Sequence, residues 1–458
     1  MSERKNLGQI DLLNGPIMKA LVLFAIPIFI SMLFQQLYNA VDTAIVGNVL
    51  GEDSLAAIGS VSSVFDLIIH ISTGLTGGFG IVIARAYGSK DEDRIKRAVA
   101  GSIMIGTASI ILMTVIALFG LSGLLKLINT PEEIFDRALS YIRIIAGFLI
   151  ITFAYNLFSG MLRAIGNSVM PLIFLVISSV LNVFLDYLFI AGFSTGVGGA
   201  AVATVISQAV SAVLCLIYLL RKMKILIPEK RHFVPDQGML KELAGQGFAM
   251  VLMSSIVSIS SVILQSGINE LGTQIIAGHV SARKLFSLSA LPFVTMPQSV
   301  SVFVSQNRGA GQGKRILQAM RDSYIFFAVS AVVMTGILWL FAPVFVRLIS
   351  GSDNPVIISN GSRYLYVLGP FLFILGIINT TRLSLQGIGD KLVPIISSII
   401  ELFGKVMFVI FLIPRFKYNA VIWCEPSIWL FMTAELLWAW NRNAYVRGIR
   451  RQDGNIQK

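Results

Sequence analysis

Two aspartates, Asp42 and Asp186, stand inside stretches that otherwise read as membrane-spanning helix. Asp42 falls near the end of the apolar run Leu21 to Val46. Asp186 lies within Pro171 to Ala191, with Asn182 one helical turn before it. A carboxylate at the centre of a bilayer costs about 2.5–3.5 kcal/mol on insertion scales, so such a residue calls for a function. It either hydrogen-bonds across a helix interface or handles a cation. Depth favours the cation. Counted from the outer ends of their spans, Asp42 stands about four residues in, and Asp186 and Thr204 about five. At about 1.5 Å per residue, these depths agree to within a few Å. Asn182 and Asp186, at i and i+4, share one helix face. Four oxygen-bearing side chains, Asp42, Asn182, Asp186 and Thr204, are therefore expected to converge. Two couplings suit them. A carboxyl whose surroundings alternate between dry and wet can carry H⁺, and several hard oxygens together can strip and hold Na⁺. The sequence leaves both open.

The elements that must position these groups follow from composition. The 458 residues are 55% hydrophobic and 13% charged, with mean hydropathy +0.79. Soluble domains carry about a quarter charged residues, so this reads as an all-α integral membrane protein. Apolar windows mark about twelve spans, near 20–46, 54–84, 98–121, 138–160, 169–191, 199–220, 245–269, 275–305, 322–345, 364–385, 393–413 and 420–441. The first is too long for a signal-peptide core and is expected to stay in the protein. Cys215 and Cys424 both lie in apolar runs and suggest neither a disulfide nor a metal framework.

Charge fixes orientation. With the N-terminus inside, 26 Lys and Arg fall on the cytoplasmic side and six outside, and four lie within spans. That bias places both termini in the cytoplasm of a multi-pass plasma (inner) membrane protein. The net charge of +12 is thus a topology signal and a contact for membrane lipids, and does not point to nucleic acid.

The chain is also duplicated. Leu50-Gly51 answers Leu271-Gly272, Tyr141 matches Tyr364, Asn156 matches Asn379, and LRAIGNSVMP (162–171) matches LQGIGDKLVP (385–394). With an even number of spans per half, these are parallel repeats. The expected organisation is an N-terminal lobe over 1–220, a basic cytoplasmic linker over 221–244, a C-terminal lobe over 245–441 and a basic tail over 442–458. Two six-helix lobes forming a V suit alternating access by rocking.

Other polar residues invite roles. Pro27 interrupts the first span and is expected to kink it, either as a static bend or as a hinge. Gly74, Gly77, Gly78 and Gly80 crowd the second span, where they are expected to permit close helix packing. Glu401 and Lys405 are an i,i+4 pair. By the repeat register, Lys405 falls where Asn182 does and Glu425 where Thr204 does. Asn156, Lys284, Glu401, Lys405 and Glu425 are the candidates for a substrate site or a secondary polar cluster, and internal pairing is expected of Glu401 and Lys405. Arg283 and Lys284 are expected to snorkel or face a cleft, and His70 and His279 to pack as polar residues. Phe34, Tyr38, Phe65, Tyr155, Phe286 and Met296 could line an adaptable cavity.

Across nearly its whole length the chain resembles the multidrug and toxic compound extrusion (MATE) family. The motifs are AIPIF (25–29), LYNAVDTAIVG (37–47), LAAIG (55–59), IARAYG (83–88), LRAIGN (162–167), LNVFLDYLFI (181–190) and GAAVAT (199–204). The resemblance implies a twelve-helix, V-shaped antiporter exchanging H⁺ or Na⁺ for amphipathic, often cationic compounds, with no other cofactor and no metal beyond a Na⁺ at the coupling site. It is closer to the DNA-damage-inducible F (DinF) branch, whose site corresponds to Asp42, Asn182, Asp186 and Thr204, with Pro27 as the first-span proline. The NorM-like branch places acids in the seventh and tenth spans. Here 245–269 has none, and 364–385 offers only Asn379 and Arg382.

The expected function is a monomeric exporter of drugs or toxins. The alternatives are a flippase for lipid-linked precursors or a channel. A membrane enzyme lacks support: no His/Glu metal set, Ser/His pair or phosphate loop stands on these helices.

Overall fold

The computed structural model describes residues 8–456, with side chains as far as Gln452. Arg4 and Lys5 of the first basic segment and Lys458 of the tail lie outside the described residues. The chain folds into α1 (Ile17–Leu50), α2 (Glu52–Gly88), α3 (Glu92–Leu127), α4 (Glu132–Gly147), α5 (Leu149–Ala164), α6 (Val169–Asp186), α7 (Gly196–Lys222) and α8 (Gln237–Asn269). Then follow α9 (Thr273–Ser289), α10 (Pro292–Gly309), α11 (Gly313–Ser350), α12 (Pro355–Ile388), α13 (Leu392–Met407), α14 (Ile413–Phe416), α15 (Tyr418–Arg442) and α16 (Ala444–Ile456). Among the described residues, eleven helical runs are long and apolar enough to cross a membrane, and twelve if α4 and α5, bent by 47° at Phe148, form one span. The protein is therefore a multi-pass, all-helical membrane protein.

The helices begin and end where local chemistry dictates. The Asp91 side chain accepts the Arg94 backbone N–H at 3.0 Å, capping α3, and Glu92 and Asp93 in its first turn oppose the positive end of its dipole. The matched glycines of the two repeats sit in left-handed backbone, Gly51 at φ 82° and Gly272 at φ 95°, and so turn the chain from α1 into α2 and from α8 into α9 at no steric cost. Exposed faces show what surrounds the bundle. On α3, Ile111, Leu112, Val115 and Ile116 point outward, and Phe119 is 87% exposed, as suits a surface against hydrocarbon.

The chain divides into two compact units. Unit 1 comprises Met1–Asp11 and Ile26–Val251, and unit 2 comprises Leu12–Ala25 and Leu252–Lys458. Both α1 and α8 therefore cross from one unit to the other, and α1 does so two residues before Pro27 while remaining one continuous helix. In unit 2, Leu12–Ala25 is tied down by long-range hydrogen bonds. Ser299 donates to the Leu21 carbonyl at 2.8 Å, Asn307 to that of Leu12 at 3.0 Å and Arg315 to that of Gly15 at 3.0 Å. In unit 1, Arg85 holds Glu242 at 2.6 Å at the start of α8. The basic segment after α7 is docked as well: Lys96 bridges Glu229 at 3.1 Å, and this lysine holds the Glu229 carboxyl below the usual range.

The glycines of α2 serve packing. A Cβ on Gly78 would lie 2.5 Å from the Gly247 backbone nitrogen, and one on Gly74 3.1 Å from the Val251 backbone, so α2 and α8 meet backbone to backbone within unit 1. Gly78→Val should lower the thermal midpoint of the detergent-solubilised protein, consistent with about 1–3 kcal/mol of overpacking. Gly120→Ala, on an exposed face of α3 with nothing within 4 Å, should leave it unchanged or raise it slightly.

Candidate functional site

The four residues aligned by depth meet inside unit 1. Asn182 and Asp186 lie on the buried face of α6, and Asp186 is its last residue before a π-helical turn, Tyr187–Gly192. Such turns widen the helix and often mark functional sites. Asp186 and Asn182 are buried, at 0% and 1% exposure, and Thr204 on α7 at 5%. In the orientation that satisfies both ends of its amide, Asn182 donates to Asp186 Oδ2 at 2.8 Å and accepts the Thr204 backbone N–H at 3.3 Å. The Thr204 hydroxyl lies 3.5 Å from that of Tyr38, one turn before Asp42 on α1. The carboxyls of Asp42 and Asp186 come within hydrogen-bonding range of one another, and the buried Tyr141 lies within electrostatic reach of both.

The donor count is what gives this site its chemistry. Asp42 Oδ1 and Asp186 Oδ1 are buried acceptors with no donor among the described residues. A carboxylate has only acceptors, so two of them facing each other cannot satisfy one another. A proton shared between them, or a Na⁺ held by their oxygens with those of Asn182 and Thr204, would supply the missing positive charge.

Unit 2 contains two further polar clusters, both internally paired. In one, Lys405 on α13 bonds Glu401 Oε1 at 2.9 Å and Ser260 of α8 at 3.3 Å. Arg382 of α12 approaches Glu401 Oε2 at 3.9 Å and donates to Ser397 at 2.9 Å. In the other, Glu425 on α15 accepts from Arg283 at 3.2 Å and from the Tyr364 hydroxyl at 3.1 Å. His279 stacks edge-on against Tyr364, with centroids 4.9 Å apart, and its Nδ1 lies 3.3 Å from the Tyr418 hydroxyl.

A family model described as MatE matches residues 27–188 and again 249–411, once in each half. The chain belongs to the MatE family. Among its relatives is the "Probable multidrug resistance protein YoeA" of Bacillus subtilis, 26% identical over 407 residues that cover 87% of each chain. The "Probable multidrug resistance protein NorM" of Thermotoga maritima is 26% identical over 431 residues, covering 92% of this chain and 90% of its own. A solved multidrug resistance MATE family transporter of the MOP superfamily, in an outward-facing conformation, superposes with TM-score 0.88 at 25% identity, covering 97% of this chain and 100% of its own.

Within this MatE chain, several expectations meet the structure differently. Arg283 pairs with Glu425 at 3.2 Å, which neutralises the buried carboxylate, while 39% of its own side chain stays exposed. Lys284, its neighbour, is exposed and joins neither cluster. Asn156, half-buried on α5, belongs to unit 1, whereas Glu401, Lys405 and Glu425 belong to unit 2. Tyr155, Phe286 and Met296 are buried core residues, whereas Phe34 is exposed. The sequence reading missed Tyr141 as a neighbour of the two aspartates, although its match to Tyr364 in the repeat singled it out. It also passed over Asp66, an exposed acid in the middle of α2.

Glu401 and Lys405 should behave as a unit. Glu401→Gln leaves Lys405 and Arg382 short of a counter-charge and should destabilise the solubilised protein by about 3–5 kcal/mol. Adding Lys405→Met should recover part of that loss. A double-mutant cycle on thermal unfolding, showing additive losses, would contradict the pairing.

Proposed function

We propose that the chain is a secondary active multidrug exporter that exchanges H⁺ or Na⁺ for amphipathic, cationic compounds, coupled at Asp42 and Asp186. The observation that carries this reading is a pair of carboxyls within hydrogen-bonding range, each with a buried oxygen that has no donor among the described residues. Such a pair binds a cation or opens to water. The printed names of the relatives, multidrug resistance and export proteins, support the substrate class. The absence of an acid on α12 and in the membrane part of α8 supports the DinF-like branch.

In this reading, Asn182 and Thr204 position the Asp186 carboxyl, and Tyr38 closes the site from α1. Loading a cation favours one conformation of α1 over the other, because a ligand shifts an equilibrium only through its differential affinity. Pro27 serves as the hinge. Its support is the passage of α1 from one compact unit to the other within two residues of it, where a missing backbone N–H weakens the helix. The charge bias of the loops supports cytoplasmic termini in the plasma membrane, and a monomer suffices. The flippase alternative draws no support from the relatives, whose names specify multidrug resistance or export.

Purified protein in liposomes, given a pH gradient or a Na⁺ gradient separately, should move drug under only one of them. Asp42→Asn and Asp186→Asn should insert and fold, yet leave drug efflux at the level of empty liposomes. Full retained efflux in either variant would falsify coupling at this pair.

A further inference from the structure

The helix α2 presents two unlike faces. Its buried face is built of Ala57, Val61, Val64, Ile68 and Leu75. On the opposite, exposed face, Gly59, Ser62, Ser63, Asp66 and His70 follow one another at helical spacing. A 37-residue helix is roughly 55 Å long, so its central twenty or so residues occupy the about 30 Å of hydrocarbon, and Asp66 and His70 stand among them. Asp66 has no hydrogen-bond or ion-pair partner among the described residues. The exposed face of α3, by contrast, carries the large apolar side chains of Ile111, Leu112, Val115, Ile116 and Phe119. Both faces cannot have the same solvent. An exposed carboxylate flanked by serines and an imidazole at mid-membrane depth is stable against water and costly against lipid, so this stripe of α2 borders an aqueous path.

We propose that Asp66 is a substrate-recognition residue: the stripe from Gly59 to His70 lines the water-filled route of the exported compound, and the Asp66 carboxylate binds its cationic group. A lone unpaired acid with small neighbours fits this use. Gly59, Ser62 and Ser63 leave room for an approaching ligand, and His70, one turn from Asp66, adds a polar contact. The carboxylate differs from the Asp42–Asp186 pair in having no second acid near it in α2 and in standing exposed, so it selects the passenger while the pair holds the driving ion. The proposal rests on the exporter reading.

Two measurements on the full-length protein test it. First, Ser62→Cys should react with a membrane-impermeant thiol reagent and Val115→Cys on α3 should not; the native Cys215 and Cys424 are buried and give little background. Equal labelling of the two, or none at position 62, overturns the water-lined stripe. Second, ethidium binding to the purified protein should weaken on the order of tenfold in Asp66→Asn and be largely restored in Asp66→Glu, the loss of about one charge–charge contact. Binding of an uncharged amphipathic probe should not change. Undiminished ethidium binding in Asp66→Asn, or equal losses for both probes, overturns the proposal. Retained ethidium binding by Asp42→Asn together with lost gradient-driven efflux keeps the coupling reading separate, and a wild type that binds neither probe overturns the multidrug reading with it.

Discussion

Hydrocarbon offers no hydrogen bonds, and the polar side chains of this protein are disposed around that constraint. Three solutions occur side by side. Glu401, Lys405 and Arg382, and likewise Glu425, Arg283 and Tyr364, neutralise each other within unit 2. The serines and Asp66 of α2 turn to an exposed face. Asp42 and Asp186 are brought together with more acceptors than donors. The first solution makes a rigid scaffold and the second a wettable surface. The third leaves a pair whose satisfaction depends on a cation that can come and go.

The duplication sharpens the contrast. Tyr141 and Tyr364 occupy matching positions, each beside an acid in its own unit, and π-helical turns recur at corresponding places, Tyr187–Gly192 and Phe408–Leu412. One scaffold has therefore been filled in two ways. In unit 2 the carboxylate of Glu425 faces a permanent guanidinium, and the position matching Asn182 holds a lysine bonded to Glu401. In unit 1 no basic side chain among the described residues takes that role beside Asp42 and Asp186. Duplication supplied two sites, and divergence closed one with fixed charge.

Much of this was legible in the sequence. Apolar windows located every span, since length and hydropathy decide membrane insertion, and rise per residue was enough to expect Asp42, Asn182, Asp186 and Thr204 to meet. What escaped notice depended on neighbours in space. The bend at Phe148 is announced only by Gly147, one of many glycines in these spans, and the π turn after Asp186 has no glycine or proline at its start to signal it. Arg283 and Lys284 are adjacent and chemically alike, yet one is paired and the other exposed, because only one points at Glu425. Asp66 was overlooked because its surroundings are polar enough to look unexceptional; its meaning depends on which face of α2 is covered.

The most direct test of the central claim is to count cations on the purified protein as substrate is added, following H⁺ with a pH indicator and Na⁺ with a radioactive tracer. Substrate should release about one cation per chain from the wild type and none from the Asp42→Asn, Asp186→Asn double variant. Undiminished release from that variant would contradict the account.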